Sequence, residues 1–302
     1  MKRYGRSPTG KQRWYCHGCH KTFSWSTGRS RYQREFVWFR RWVTEGYTIR
    51  QLVHFSGHSR STIQRIIRYW LGRMPPSSGD ATGEHYMIFD GTFLDYRRGM
   101  YAVMDGITHS ILHGAYGVKE GPPDLSNFCH QLAARGIIPK SATIDGNPHV
   151  FHVIKSIWPQ IPIQRCVVHI QRQGLLWCRR HPKRTDARRL RRLFLMVTQI
   201  ENEARRNQFQ RAVAHWEQHY GPGLVSTTNR GWVTTDLQRA RSMILKALPL
   251  MFAYLDDHNI PRTTNALEGY YGRLKLRYRQ HCGLSVAQRA NYFRWYFALC
   301  PR

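Results

Sequence analysis

Three short stretches of this 302-residue chain each place one carboxylate close to a glycine: MIFDGTFL around Asp90, SATIDGNPH around Asp145 and TTNALEGYYGRLK around Glu268. A ligand set of two Asp and one Glu offers oxygen only, which suits a hard divalent cation such as magnesium or manganese. Two such ions about 3.5–4 Å apart serve phosphodiester chemistry, one activating the attacking oxygen and the other stabilising the leaving oxygen. Repulsion among the carboxylates would make the empty cluster costly, so the expectation is a site that fills with metal. Each carboxylate also has a plainer reading. Asp-Gly is an ordinary turn pair, and Asn265-x-x-Glu268 matches a capping box with Asn265 as N-cap and Glu268 at the third helical position.

Two cysteine motifs add to the inventory. Cys166 and His169 form a Cys-x-x-His in IPIQRCVVHI, which reads as a strand. On a strand the two side chains would project to opposite faces, poor geometry for one metal. A buried cysteine with a satisfied histidine is the alternative. Near the start, WYCHGCHKTFSW carries Cys16 and Cys19, and His17 and His20 adjoin them. Formally this is also a c-type haem pattern, discounted because no export signal is read in the chain. A structural zinc site needs four ligands, and this knuckle supplies two well-placed ones, so zinc is doubtful here.

Charge narrows the partner class. Lys and Arg number 47 against 18 Asp and Glu, a net charge of +29. So large an excess points to a polyanion, DNA or RNA, with binding that weakens steeply as salt rises. The basic start leads into no apolar signal segment, and no stretch is long and apolar enough to cross a membrane. Seven scattered cysteines do not suggest a disulfide scaffold. The expectation is a cytoplasmic, nucleoid-associated protein with no membrane partner.

The elements that must position these residues follow from periodicity. Residues 1–30 hold the knuckle. From Tyr32 to Thr44, Phe36, Val37, Phe39, Trp42 and Val43 recur at helical spacing, and Gly46 stops the helix. Thr48 caps a short helix ending near Phe55, SGHS turns the chain, and Ser59 caps a longer helix. That pattern, over 31–73, reads as a helix-turn-helix whose basic second helix presents Arg60, Gln64, Arg65 and Arg68 to double-stranded DNA. A helical hairpin with a solvated basic face is the plain alternative. Residues 74–84 form a linker by composition. From 85 the pattern becomes β, then alternates helix and strand, which indicates an α/β domain with a mixed sheet over 85–302. Asp90 and Asp145 each follow an apolar run and should end neighbouring strands. A basic helical insertion spans about 179–255, with GPGLVSTTNRGW breaking its helices.

The order FDGTFL, IDGN, Cys-x-x-His, TTNALEGYYGRLK resembles the mutator-type insertion-sequence transposases of bacteria, over most of the chain from about Glu84 onward. Asp145 follows Asp90 by 55 residues and Glu268 follows Asp145 by 123, room for a helical insertion in the catalytic fold. The resemblance implies an RNase H-like domain of the DDE group, with Asp90, Asp145 and Glu268 as magnesium ligands. Cys166 and His169 match a signature of such enzymes, in shaping the site or positioning DNA. It also implies an oligomer acting on transposon ends and target, cutting with activated water and joining by the freed 3′-hydroxyl, without a covalent protein intermediate. GKQRWYCHGCHKTFSW looks like the second half of the zinc ribbon that leads several of them, and the chain starts about where the other half would be expected. Arg273, Lys275 and Arg277, on the Glu268 helix, form a basic flank suited to phosphates of the scissile strand, with a solvated helix face as the plain alternative. The competing readings are a non-catalytic DNA-binding protein, either a regulator or a degenerate transposase that does not cut, and a structure-specific nuclease on the same fold.

Overall fold

A computed structural model of the protein describes residues 1–25, 28–76, 82–95, 98–119, 121–226 and 232–302; part of the expected linker, at 77–81, lies outside them. Strands β1 (Lys2–Arg6), β2 (Gln12–Tyr15) and β3 (Thr22–Ser24) form a small antiparallel sheet. Cys16 and Cys19 lie in the turn between β2 and β3, which closes through His20 N–H to the Cys16 carbonyl and Cys16 N–H to the Lys21 carbonyl. The expected helices follow as α1 (Gly28–Glu45), α2 (Ile49–Ser56) and α3 (Arg60–Leu71). Gly46 ends α1 at φ +73°. Thr48 and Gln51 form a reciprocal capping box on α2, and Ser59 caps α3 by accepting from Thr62 N–H.

The larger unit is α/β. In chain order it runs β4 (Gly83–Asp95), β5 (Arg98–Asp105), β6 (Ile111–Val118), α4 (Pro122–Ala134), β7 (Ile137–Ile144), α5 (Pro148–Ile157), β8 (Ile163–Arg165) and α6 (Val167–Cys178). There follow α7 (Thr185–Met196), α8 (Glu203–Ser226), α9 (Trp232–Ala247), α10 (Ala253–Asp256), α11 (Asn265–Tyr278) and α12 (Val286–Leu299). The five-stranded sheet has the order β6-β5-β4-β7-β8; β6, β5 and β4 are antiparallel neighbours, whereas β7 and β8 continue parallel to β4.

Period-two alternation divides the core into two layers. Met87, Phe89, Tyr101 and Val103 face α4 and α5, packing on Leu125, Phe128 and Ile154. Ile88, Met100, Ala102 and Met104 face the other way, onto Leu267, Tyr270, Tyr271 and Leu274 of α11 and onto α12. A third core joins α6 to α10, with Phe194, Phe209, Trp216 and Ile244 at its centre. Buried Gln164 on β8 ties this helical body to the sheet, donating to the Met251 carbonyl at 3.1 Å and accepting from Tyr254 N–H at 3.4 Å.

Two features depart from the sequence reading. First, α8 runs through Gly221, Pro222 and Gly223 instead of stopping there. Proline removes a helical hydrogen bond, but the turn is anchored by buried Leu224, whose carbonyl accepts from Gln238 Nε2 at 2.7 Å, and by the Arg241–Glu217 ion pair. The rest of the expected break, at 227–231, lies outside the described residues. Second, α1–α3 share one hydrophobic core with α11 and α12. Phe39, Trp42, Ile63 and Ile66 pack with Tyr292, Trp295 and Tyr296. Trp295 Nε1 donates to the Trp70 and Arg73 carbonyls, and His281 Nε2 meets the Trp42 carbonyl at 2.8 Å. The amino-terminal helices are therefore docked on the sheet's α11 face. Among the described residues no helix is long and apolar enough to cross a membrane.

That joint sets two expectations. Trp295→Ala should destabilise the protein by roughly 3–5 kcal/mol in equilibrium denaturation, the usual cost of emptying a buried aromatic site. Burial holds His281 at about 4, below its ordinary 6.5. The unfolded chain therefore takes up a proton first, and stability present above pH 6.5 drains away as pH falls towards 4. His281→Gln keeps a donor for the Trp42 carbonyl and removes the titration, so its pH–stability curve should be flatter across that window.

Candidate active site

The sheet brings the two aspartates together by register. Parallel pairing of β4 with β7 ends at Phe89 opposite Ile144, so Asp90 and Asp145 are the next residues on each chain. Parity then fixes their side. Asp90 follows Ile88 by two and shares its α11-facing side, and Thr143, two residues before Asp145, turns the same way, donating to the Pro261 carbonyl at 2.6 Å. Asp145 does follow the end of its strand, but Asp90 sits midway along a 13-residue β4, which continues as a hairpin with β5 as far as Asp95 opposite Arg98. The antiparallel partner extends the strand past the point where the parallel one leaves.

Glu268 comes from α11 close enough for its charge to act on Asp90, by a different cap from the expected one. The N-cap is Thr264, and Glu268 N–H donates to the Thr264 carbonyl at 3.1 Å. Glu268 is thus the fourth helical residue and does not curl back to Asn265. Its carboxylate instead meets His169 Nε2 at 3.4 Å on Oε1 and Arg172 Nη2 at 3.7 Å on Oε2. Oε1 is buried and has no well-formed hydrogen bond.

Cys166 and His169 are also placed differently. Strand β8 stops at Arg165, because its neighbour β7 has ended. Cys166 N–H still reaches the Ile144 carbonyl at 2.8 Å, and Cys166 then serves as N-cap of α6. Three residues apart at a helix start, Cys166 and His169 face the same way. Thr264, fully buried, links them: its hydroxyl lies 3.6 Å from Cys166 Sγ and 3.4 Å from His169 Nδ1, and its N–H points at the same sulfur at 3.4 Å. Burial alone would raise the Cys166 thiol, but hydrogen bonds from His169 and Thr264 outweigh it and hold the thiol below its ordinary range. The hydrogen bond to Cys166 raises His169, helped by the Asp90 and Glu268 charges despite burial. A more cationic His169 is what a carboxylate neighbour requires.

Asp90 carries the largest electrostatic cost. It is 7% exposed, and burial followed by the Asp145 charge pushes its carboxyl up to about 7. Gly91 N–H donates to Oδ1 at 2.9 Å, and buried Tyr271 donates to the Asp90 carbonyl at 2.8 Å, pinning the backbone. Asp145 accepts from Asn147 N–H at 2.9 Å. Among the described residues no three His, Cys, Asp or Glu form a preformed metal-holding group; Cys16 and Cys19 have no third such partner.

The basic residues separate into free and engaged. Arg60 and Arg68 on α3 are exposed and Gln64 is half-buried. Arg65 makes a two-pronged pair with Glu35 of α1, at 2.8 and 3.3 Å. On α11, Lys275 Nζ donates to Thr92 Oγ1 at 2.5 Å, Arg273 lies over the Tyr270 ring, and Arg277 donates to the Tyr296 hydroxyl at 2.6 Å. Thr264, Arg172 and Tyr271 are site residues that sequence reasoning did not find. Once the segment after Cys166 is read as a helix, the three-residue step from His169 to Arg172 is the signal for one of them. Against protein-family models and curated proteins, the chain matches none.

The buried charge makes a direct forecast. Because Asp90 titrates near 7 when folded and near 3.8 when unfolded, stability is lost as pH rises between those values and stays lost above them. In chelator, Asp90→Asn should therefore be more stable than wild type at pH 8 by up to about 4 kcal/mol, with the gain fading towards pH 4. Thermal melts across that range measure it.

Proposed function

We propose that the protein is a DNA-cleaving and strand-transferring enzyme of the mutator-type transposase class, with Asp90, Asp145 and Glu268 as its metal-holding carboxylates on an RNase H-like fold. The observation that carries this reading is that Asp145 and Glu268 both act on the buried Asp90 carboxyl: two aspartates lie where parallel β4 and β7 part, and a glutamate comes from the first turn of α11. A divalent cation fits the residues present. The donors are hard oxygens, one Glu268 oxygen is buried with no well-formed hydrogen bond, and Asp90 bears a charge penalty that a cation relieves. Bound there, magnesium or manganese would supply Lewis-acid activation of a phosphodiester and of its attacking oxygen.

The chain's own residues do the rest. His169 and Arg172 fix the Glu268 carboxylate, and Thr264 and Cys166 fix His169. Tyr271 and Gly91 hold Asp90 in place. Lys275, half-buried beside Thr92 and within reach of the Asp90 field, would meet a phosphate brought to Asp90. The large basic excess supports a DNA substrate, with exposed Arg60 and Arg68 of α3 as groove or phosphate contacts. Arg65 is expected to brace α3 against α1 through Glu35, a positioning role.

The test is strand cleavage on duplexes carrying the sequences that border this reading frame. Wild type should nick them only with magnesium or manganese, and Asp90→Asn, Asp145→Asn and Glu268→Gln should each lower the rate by about a thousandfold or more while leaving binding intact. His169→Ala should fall between, as a positioning residue. Salt-sensitive binding by folded protein without any cutting would favour a non-catalytic DNA-binding role. Cutting without joining to a second duplex would leave a nuclease.

A further inference from the structure

A cleft of about 620 Å³ opens beside Gly146, the residue after Asp145, and none of the three carboxylates lines it. It lies where α5, the end of α6 and the face of α9 meet the carboxyl ends of β7 and β8. Its lining carries Arg165, Arg239 and Lys246, the rings of Trp177 and Phe151, and no carboxylate. Arg239 and Lys246 are seven residues apart on α9, two turns on one face, and so line a stretch of about 10 Å.

Arg165 is built into this cleft. Its guanidinium lies flat on Gly146: a Cβ there would stand 1.9 Å from Nη2, and the φ of +108° also disfavours a side chain. Nη2 donates to the Asp145 carbonyl at 3.4 Å, and Nε is buried without a hydrogen-bond partner. The glycine after the proposed metal ligand thus admits an arginine directly behind it. Of the other two cations, Arg239 shares Asp236 at 3.7 Å and both are exposed.

We infer that this cleft binds a short single-stranded stretch of nucleic acid, one or two nucleotides long, with a base stacked on Trp177 and phosphates on Arg165, Arg239 and Lys246. Cations that follow a backbone, interleaved with aromatic faces, are the chemistry by which single strands are held. The volume is that of a small-molecule pocket, about 300–1,000 Å³, which admits a nucleotide and excludes a duplex. Its position beside Gly146 implies that a strand leaving the carboxylates is drawn out of its duplex past Asp145. The inference rests on the nucleic-acid reading above and adds where an unpaired segment goes.

Binding in chelator tests it without any cleavage step. The probes are a ten-nucleotide single strand bearing one 2-aminopurine and the same sequence as a blunt duplex. Wild type should quench the single-strand probe, and unlabelled single strand should displace it better than duplex does. Trp177→Leu should abolish most of the quench and weaken single-strand binding about tenfold, with duplex affinity unchanged. Lys246→Glu, a surface change that does not threaten folding, should weaken single-strand binding similarly. Equal quenching by wild type and Trp177→Leu overturns the inference, as does displacement by duplex and single strand alike. Duplex binding with no effect of either substitution overturns the cleft and leaves the DNA reading standing. Groove-dependent single-strand binding in a protein that never cuts supports the cleft and counts against the enzyme.

Discussion

The cost of burying like charges at the parting of β4 and β7 governs this molecule. Asp90 is almost wholly buried with Asp145 beside it, and its carboxyl is driven up to about 7. A fold chosen for stability alone would have no reason to carry that penalty, since an apolar residue would pack there at no electrostatic cost. The surrounding structure is arranged around the pair instead. Tyr271 fixes the backbone at Asp90, Asn147 satisfies one oxygen of Asp145, and α11 lays Glu268 across the same face.

Helix α11 is the element through which the parts communicate. One side of it, Leu267, Tyr270, Tyr271 and Leu274, completes the core that also contains α1–α3 and α12. Its first turn carries Glu268, and Thr264 just before it reaches the start of α6. Movement of the amino-terminal helices would therefore be felt at Glu268 through packed side chains. Gly46 marks how close this approach is, since a Cβ there would stand 3.1 Å from the Arg277 backbone.

What the sequence made legible was chiefly local. The Thr48 and Ser59 caps, the apolar faces of α1 and α3, and the strand-helix alternation after residue 85 all depend on near neighbours, and each appears in the structure. The aspartates could be paired because Asp-Gly after an apolar run marks where a strand loses its partner. The failures were matters of tertiary context. Nothing within a few residues of Cys166 says that β7 ends first and releases the chain into a helix. The Asn265 capping box lost to Thr264, one residue earlier, whose hydroxyl is claimed by Cys166 and His169. Pro222 stayed helical because the turn around it is held from α9. The ion pair of Arg65 was not legible because its partner, Glu35, lies thirty residues away in sequence.

The central claim is that the three carboxylates are one cation site, and calorimetric titration of the protein with manganese at pH 7.5 tests it most directly. The account predicts saturable binding that Asp90→Asn, Asp145→Asn and Glu268→Gln each weaken by an order of magnitude or more, in protein whose melts show it to be folded. Binding that is absent, or that survives all three substitutions unchanged, would contradict it.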